Sequence, residues 1–105
     1  MCGIICLIKY GGTLSTEITK TAHSKIAPRG PDAQNHIQIN IDPNIYLGFS
    51  RLAIMDVSND GLQPFSRGKN HVICNGEIYN FAELAKEHGI EMKTKCDCEV
   101  ILPLY

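Results

Sequence analysis

From Gly3 to Ile8 the apolar side chains Ile4, Ile5, Cys6, Leu7 and Ile8 follow one another without a polar break, which predicts a buried strand over about residues 2 to 9. Gly11-Gly12 ends it. Ser15 then stands where an N-cap belongs, before Ile18, Ala22 and Ile26 at four-residue intervals, the spacing of a short amphipathic helix. Pro28 and the segment Arg29-Gly30-Pro31-Asp32 stop that helix and form a loop. Next, Ile37, Ile39 and Ile41 alternate with polar residues as far as Asp42-Pro43-Asn44, and Ile45 to Phe49 resume the apolar run. Alternation on both sides of a turn predicts an antiparallel hairpin.

Residues 57 to 70 are rich in serine, asparagine and glycine and read as a loop, with a strand following at His71 to Cys74. Asn80, with Glu83 three residues later, has the form of a capping box that opens a helix over Phe81 to His88, and Gly89 closes it. A further strand is expected at about 90 to 95. Asp97 would then cap a last helix starting at Cys98, which Pro103 would bend or end. Strands and helices are mixed and antiparallel pairs predominate, so the class is α+β, in one domain over residues 1 to 105.

Composition narrows the function classes. Lysine and arginine nearly balance the acids, for a formal net charge of -1, and no run of like charge exists. Neither a nucleic-acid footprint nor a polybasic membrane patch is therefore indicated. The apolar start is much shorter than the roughly 20 residues of a spanning helix and carries no basic leader. Five cysteines, an odd number, argue for a reducing compartment rather than a disulfide framework, with the cytoplasm as the expected location. No Cys-x-x-Cys pair occurs, and His23, His36, His71 and His88 lie at no standard metal spacing, so no metal site is expected.

The candidate chemistry begins with Cys2. Removal of Met1 would leave a thiol and an α-amine on one residue, a nucleophile beside its own base. Their ordinary pKa values, about 8.5 and 7.7 to 8.0, make proton transfer between such groups inexpensive near neutral pH. The plainer reading is a small residue in a buried strand. Asn75-Gly76 is first of all a tight-turn signal, but an asparagine amide and a glycine N–H at one bend also suit a developing oxyanion. Arg51 could grip a carboxylate through two parallel hydrogen bonds. Asp97 could pair with an ammonium, or be only a cap, and Glu77 could be an exposed hairpin residue.

Six motifs then fall in one order: Met1-Cys2-Gly3-Ile4, Arg29-Gly30-Pro31-Asp32, Ser50-Arg51-Leu52-Ala53-Ile54 with Asp56, Gln63-Pro64, Asn75-Gly76-Glu77-Ile78-Tyr79-Asn80, and Asp97-Cys98-Glu99-Val100-Ile101-Leu102. Together they resemble the N-terminal-cysteine (class II) glutamine amidotransferase domain of glutamine-hydrolysing asparagine synthetases, nearly from end to end. The resemblance implies an N-terminal-nucleophile (Ntn) hydrolase sandwich, antiparallel sheets between helical layers (αββα), of which the chain carries the N-terminal part. It implies that Cys2 is the nucleophile and its α-amine the base, that Asn75 and Gly76 form the oxyanion hole, and that Arg51 holds the carboxylate of L-glutamine. Glu77 and Asp97 would take the α-amino end, and Leu52 and Ile54 mark backbone lining the same pocket. Arg29-Gly30-Pro31-Asp32 is expected to be mainly a structural loop near the site, and Cys96 stands where the family usually has serine.

The expected partners are glutamine and a synthetase domain or full-length relative, not nucleic acid or a membrane. No cofactor is expected in this chain, ATP and magnesium belonging to a separate synthetase domain. The alternative is an inactive remnant, a glutamine-binding or interaction module without turnover.

Overall fold

A computed structural model describes residues 1 to 53 and 58 to 105. Strand β1 (Gly3–Lys9) leads to helix α1 (Thr16–Ile26), which tightens into a single 3-10 turn at Ala27–Arg29. Strands β2 (Ala33–Ile39) and β3 (Asn44–Arg51) follow, and then a 3-10 turn at Asn59–Gly61. A small hairpin of β4 (Phe65–Arg67) and β5 (Asn70–Val72) precedes α2 (Phe81–Glu87), a 3-10 turn at Asp97–Val100, and the short α3 (Ile101–Leu104). The class is α+β with antiparallel sheets, as expected.

The main sheet has the order β1-β3-β2, with Gly3 opposite Ser50 and Ile8 opposite Ile45 on one side of β3, and Ala33 opposite Arg51 on the other. Placing β3 in the middle brings the chain start beside Arg51, the first condition for a site that uses both. One face of the sheet is covered by α1, whose N-cap is Ser15 as expected, its Oγ accepting from Ile18 N at 3.3 Å.

That helix does not bury the stripe its isoleucines predict. Ile18 is 51% exposed, whereas Thr19 and His23 are buried. Polar groups on the strands explain the rotation: His23 Nδ1 lies 2.6 Å from the Tyr46 hydroxyl, and His36 stacks on the Tyr46 ring. Burial lowers the His23 pKa, so this interface favours the neutral ring. Asn44, read as a turn residue, is a buried hub whose Oδ1 accepts from Leu14 N and from Gln38 Nε2.

Four other expectations change. The polar segment 57 to 70 contains the β4–β5 hairpin, which turns at Gly68 with a positive φ of 60°. Helix α2 begins after Asn80, but the Asn80 side chain makes no cap bond; Gly89, at φ 63°, does close the helix. Residues 90 to 95 are not a strand, because the Lys93 and Thr94 N–H groups donate to the Glu99 carboxylate rather than to a neighbouring strand. Asp97 is not the cap of the last turn; Cys96 occupies that position, without a side-chain cap bond. Pro103 sits in the first turn of α3, where its missing N–H takes little from so short a helix.

Candidate functional site

The end of β3 and the start of β1 build one wall of a cavity of about 340 Å³. Cys2 enters it from the β1 side. Its sulfur is fixed by the backbone of Leu52, whose N–H donates to Sγ at 3.3 Å, and its carbonyl accepts from Arg29 Nε at 3.3 Å. Met1 still precedes Cys2 and lines the same cavity, so the Cys2 nitrogen is a peptide nitrogen here.

The Arg29-Gly30-Pro31-Asp32 loop acts on the site through this wall. The Asp32 N–H donates to the Arg51 carbonyl at 3.0 Å, and Asp32 Oδ2 accepts from Ala53 N at 2.8 Å. Both bonds pin the strand end that carries Arg51 and Leu52. Gly30 is needed for that approach, since a Cβ there would collide with the Ser50 carbonyl.

Arg51 is only 6% exposed, and its guanidinium donates to the Ser58 carbonyl and lies over Gly61. No carboxylate among the described residues pairs with it. Burial of a cation is costly unless it is paired, so a guanidinium lining the cavity suits an anionic ligand.

The opposite wall is the segment Cys74-Asn75-Gly76-Glu77, clamped from behind by Gln63. The Gln63 amide accepts from Cys74 N at 2.6 Å and donates to the Cys74 carbonyl at 3.2 Å, with its side chain buried. Neither Asn75 nor Gly76 has a positive φ, so the tight-turn reading of this dipeptide does not hold. The hairpin turn is at Gly68 instead. Among the described residues, the Asn75 side chain and the Gly76 N–H are engaged in no hydrogen bond, and both residues line the cavity. Asp97 closes the floor, 7% exposed, its Oδ2 accepting from Ile78 N at 2.5 Å. Glu77 is exposed at the rim, where its nearby carboxylate raises the Tyr79 pKa.

Cys2, Arg51, Leu52, Asn75, Gly76, Glu77 and Asp97 thus line one cavity. Ile54 lies outside the described residues. Sequence reasoning gave no task to Gln63, Gly61, Tyr79, Cys74 and Cys98. For Gln63 the signal was present in the Gln-Pro motif. Tyr79 and Cys98 likewise stand within motifs, whereas Gly61 and Cys74 carried no signal, because their places depend on segments distant in sequence that meet only in the fold.

A second, larger cleft of about 830 Å³ runs between Phe65–Arg67 and residues 88 to 94, but it contains no cysteine and none of the predicted residues. Among the described residues, the Cys96, Asp97 and Cys98 donor atoms form a trio within 4.8 Å of one another. Asp97 Oδ2 is already bonded to Ile78 N, and the Cys98 thiol donates to the Gly76 carbonyl at 3.7 Å, so internal partners occupy this trio. No helix of the described residues is long and apolar enough to cross a membrane.

Comparison with known proteins adds an independent line. The whole chain, residues 1–105, matches the family described as "Glutamine amidotransferase domain". It is 52% identical over 108 residues to a probable glutamine-hydrolysing asparagine synthetase of Acanthamoeba polyphaga mimivirus, covering 100% of this chain and 20% of the relative. It is 43% identical over 108 residues to the glutamine-hydrolysing asparagine synthetase of Gallus gallus, covering 100% and 19%. With asparagine synthetase 2 of Bacillus subtilis it shares 42% identity over 112 residues, covering 100% and 14%. The chain thus spans a fifth or less of the length of these relatives.

Proposed function

Because this chain belongs to the glutamine amidotransferase domain family, we propose that its smaller cavity binds L-glutamine and hydrolyses the side-chain amide to glutamate and ammonia. The observation that carries this reading is the convergence of the Cys2 thiol, the Arg51 guanidinium, the Asn75-Gly76 segment and the Asp97 carboxylate on one cavity of about 340 Å³.

Once Met1 is removed, the Cys2 α-amine takes the thiol proton and Sγ attacks the amide carbon. Negative charge developing on the amide oxygen is met by the Asn75 side-chain N–H and the Gly76 backbone N–H. Donors that hold no other partner among the described residues cost no rearrangement when the charge appears. The nitrogen leaves as ammonia with the proton held by the amine, giving a thioester on Cys2. Water, deprotonated by the same amine, then releases glutamate. Arg51 holds the substrate carboxylate, while Asp97 and Glu77 bind its ammonium. Leu52 contributes backbone to the wall beside the sulfur, and Ile54 is assigned to the same wall by resemblance alone.

The relatives bear the name asparagine synthetase, which supports a role in which the ammonia passes to a synthetase domain that uses ATP and magnesium. On this reading neither ATP nor magnesium is held by the present chain, and the acceptor is aspartate.

The test is glutamate and ammonia release from glutamine, compared between the protein and Cys2→Ala. Release by the first and a fall to background in the second is expected. Glutamine binding without release by the unsubstituted protein would instead identify a binding module, and equal release by both would remove Cys2 from the reaction.

A further inference from the structure

Cys96 and Cys98 border the cavity, and glutamine hydrolysis gives them no task. They are placed unequally. Cys96 is half-buried and precedes the Asp97–Val100 turn with extended backbone, φ -78° and ψ 121°, and its sulfur lies 4.0 Å from Asp97 Oδ1. Cys98 is 2% exposed behind it, its thiol 3.7 Å from the Gly76 carbonyl. The two sulfurs and an Asp97 carboxylate oxygen lie within 4.8 Å of one another. The neighbouring Cys98 thiol is the main cause that lowers the Cys96 pKa to about 7, against opposition from burial and from the Asp97 carboxylate. The closeness of Cys96, with burial, raises the Cys98 pKa. The two sulfurs are thus near enough to join, and Cys96 is both the more exposed and the more readily ionised of the two.

We propose that Cys96 and Cys98 form a hydroperoxide-reactive dithiol in the cavity wall, and that its closure to a disulfide weakens glutamine binding. In the first step the Cys96 thiolate attacks a peroxide oxygen; the O–O bond breaks, hydroxide leaves and takes up a proton as water, and Cys96 becomes a sulfenic acid. In the second, the Cys98 sulfur attacks the Cys96 sulfur; the S–S bond forms, the S–O bond breaks, and the hydroxyl departs as water with the Cys98 proton. Two thiols and one hydrogen peroxide give one disulfide and two waters, the peroxide taking both electrons.

Closure brings the sulfurs to about 2.05 Å and draws the Cys98 thiol away from the Gly76 carbonyl. Asp97 lies between the two linked residues, so its carboxylate is displaced as well. The effect on glutamine rests on the function proposed above, whereas formation of the bond does not.

The experiment uses Cys2→Ala protein, which removes the sulfur of the proposed hydrolysis, whose own oxidation would confuse the reading. Hydrogen peroxide is added, remaining thiols are alkylated, and the tryptic peptide beginning at Cys96 is weighed without reduction. It should be lighter by two hydrogens than the unalkylated dithiol form, and the linkage should reverse with dithiothreitol. Glutamine affinity, measured by calorimetry, should weaken at least about tenfold on oxidation and recover on reduction. The effect should vanish when Cys96→Ser or Cys98→Ser is added. Separate alkylation of both thiols after peroxide, or linkage of Cys98 to Cys74, overturns the dithiol. A mapped Cys96–Cys98 bond with unchanged glutamine affinity overturns its coupling to the site. If the reduced protein binds no glutamine, the glutamine reading fails on its own, and the peptide mass still decides the dithiol.

Discussion

At Gly76 the backbone is not left-handed, and a methyl group there would meet nothing nearer than the Cys74 sulfur at 3.9 Å. The fold therefore gives no steric reason for glycine at this position, while the cavity gives a chemical reason for an open N–H beside Asn75. This separates the two readings of the dipeptide by experiment. Gly76→Ala should change unfolding free energy by no more than about 0.5 kcal/mol, where a left-handed turn glycine would lose more. Asn75→Ala should lower kcat for glutamine hydrolysis by about 100- to 1000-fold with little change in KM, since it removes a donor used chiefly in the transition state. Steady-state kinetics and urea titration check the two halves. Residue types and their order made Cys2, Arg51, Asn75 and Asp97 legible as candidates. Their convergence was not legible, because it depends on β3 lying between β1 and β2 and on Gln63 clamping Cys74.

Among the elements, the Arg29-Gly30-Pro31-Asp32 loop and the end of β3 act as one unit. Asp32 bonds the Arg51 carbonyl and the Ala53 N–H, and Gly30 lets the two backbones approach. Gly30→Ala should lower stability by about 1 to 3 kcal/mol. It should also raise KM for glutamine, through the shifted strand end that presents Arg51. An unchanged unfolding midpoint together with an unchanged KM would contradict this coupling. Strands read from alternation, and the Ser15 cap, were found where the pattern placed them. The misses have local causes. The isoleucine stripe of α1 gave way to a polar His23–Tyr46 contact, and the expected strand at 90 to 95 gave way to the Glu99 carboxylate. Tertiary hydrogen bonds of this kind leave no periodic trace in sequence.

Across the molecule the shape is extended, with a radius of gyration of 14.5 Å against about 13 Å for a compact domain of this size. The sheet face turned away from α1 shows why. Ile8 on that face is 55% exposed and Ile4 is 40% exposed, while Phe49, close to the cavity, is 2% exposed. Burial on this face is therefore concentrated at the end that builds the site. Phe49→Ala should cost about 3 to 5 kcal/mol, whereas Ile8→Ser should cost less than about 1.5 kcal/mol despite the similar apolar loss. Chemical denaturation of the two variants distinguishes a core gathered at the site from one spread along the sheet. The continuous apolar run of β1 concealed this asymmetry, since it reads the same whether one face or both are covered.

The proposed chemistry requires a processed terminus, with the Cys2 sulfur and its own α-amine at the glutamine cavity. Intact-mass and peptide mapping after exposure to an electrophilic glutamine analogue test that requirement directly. The expected product is a chain lacking Met1 with one adduct on Cys2, protected by excess glutamine. A chain that stays unlabelled at Cys2 under saturating analogue, or is labelled there equally with and without glutamine, would contradict it.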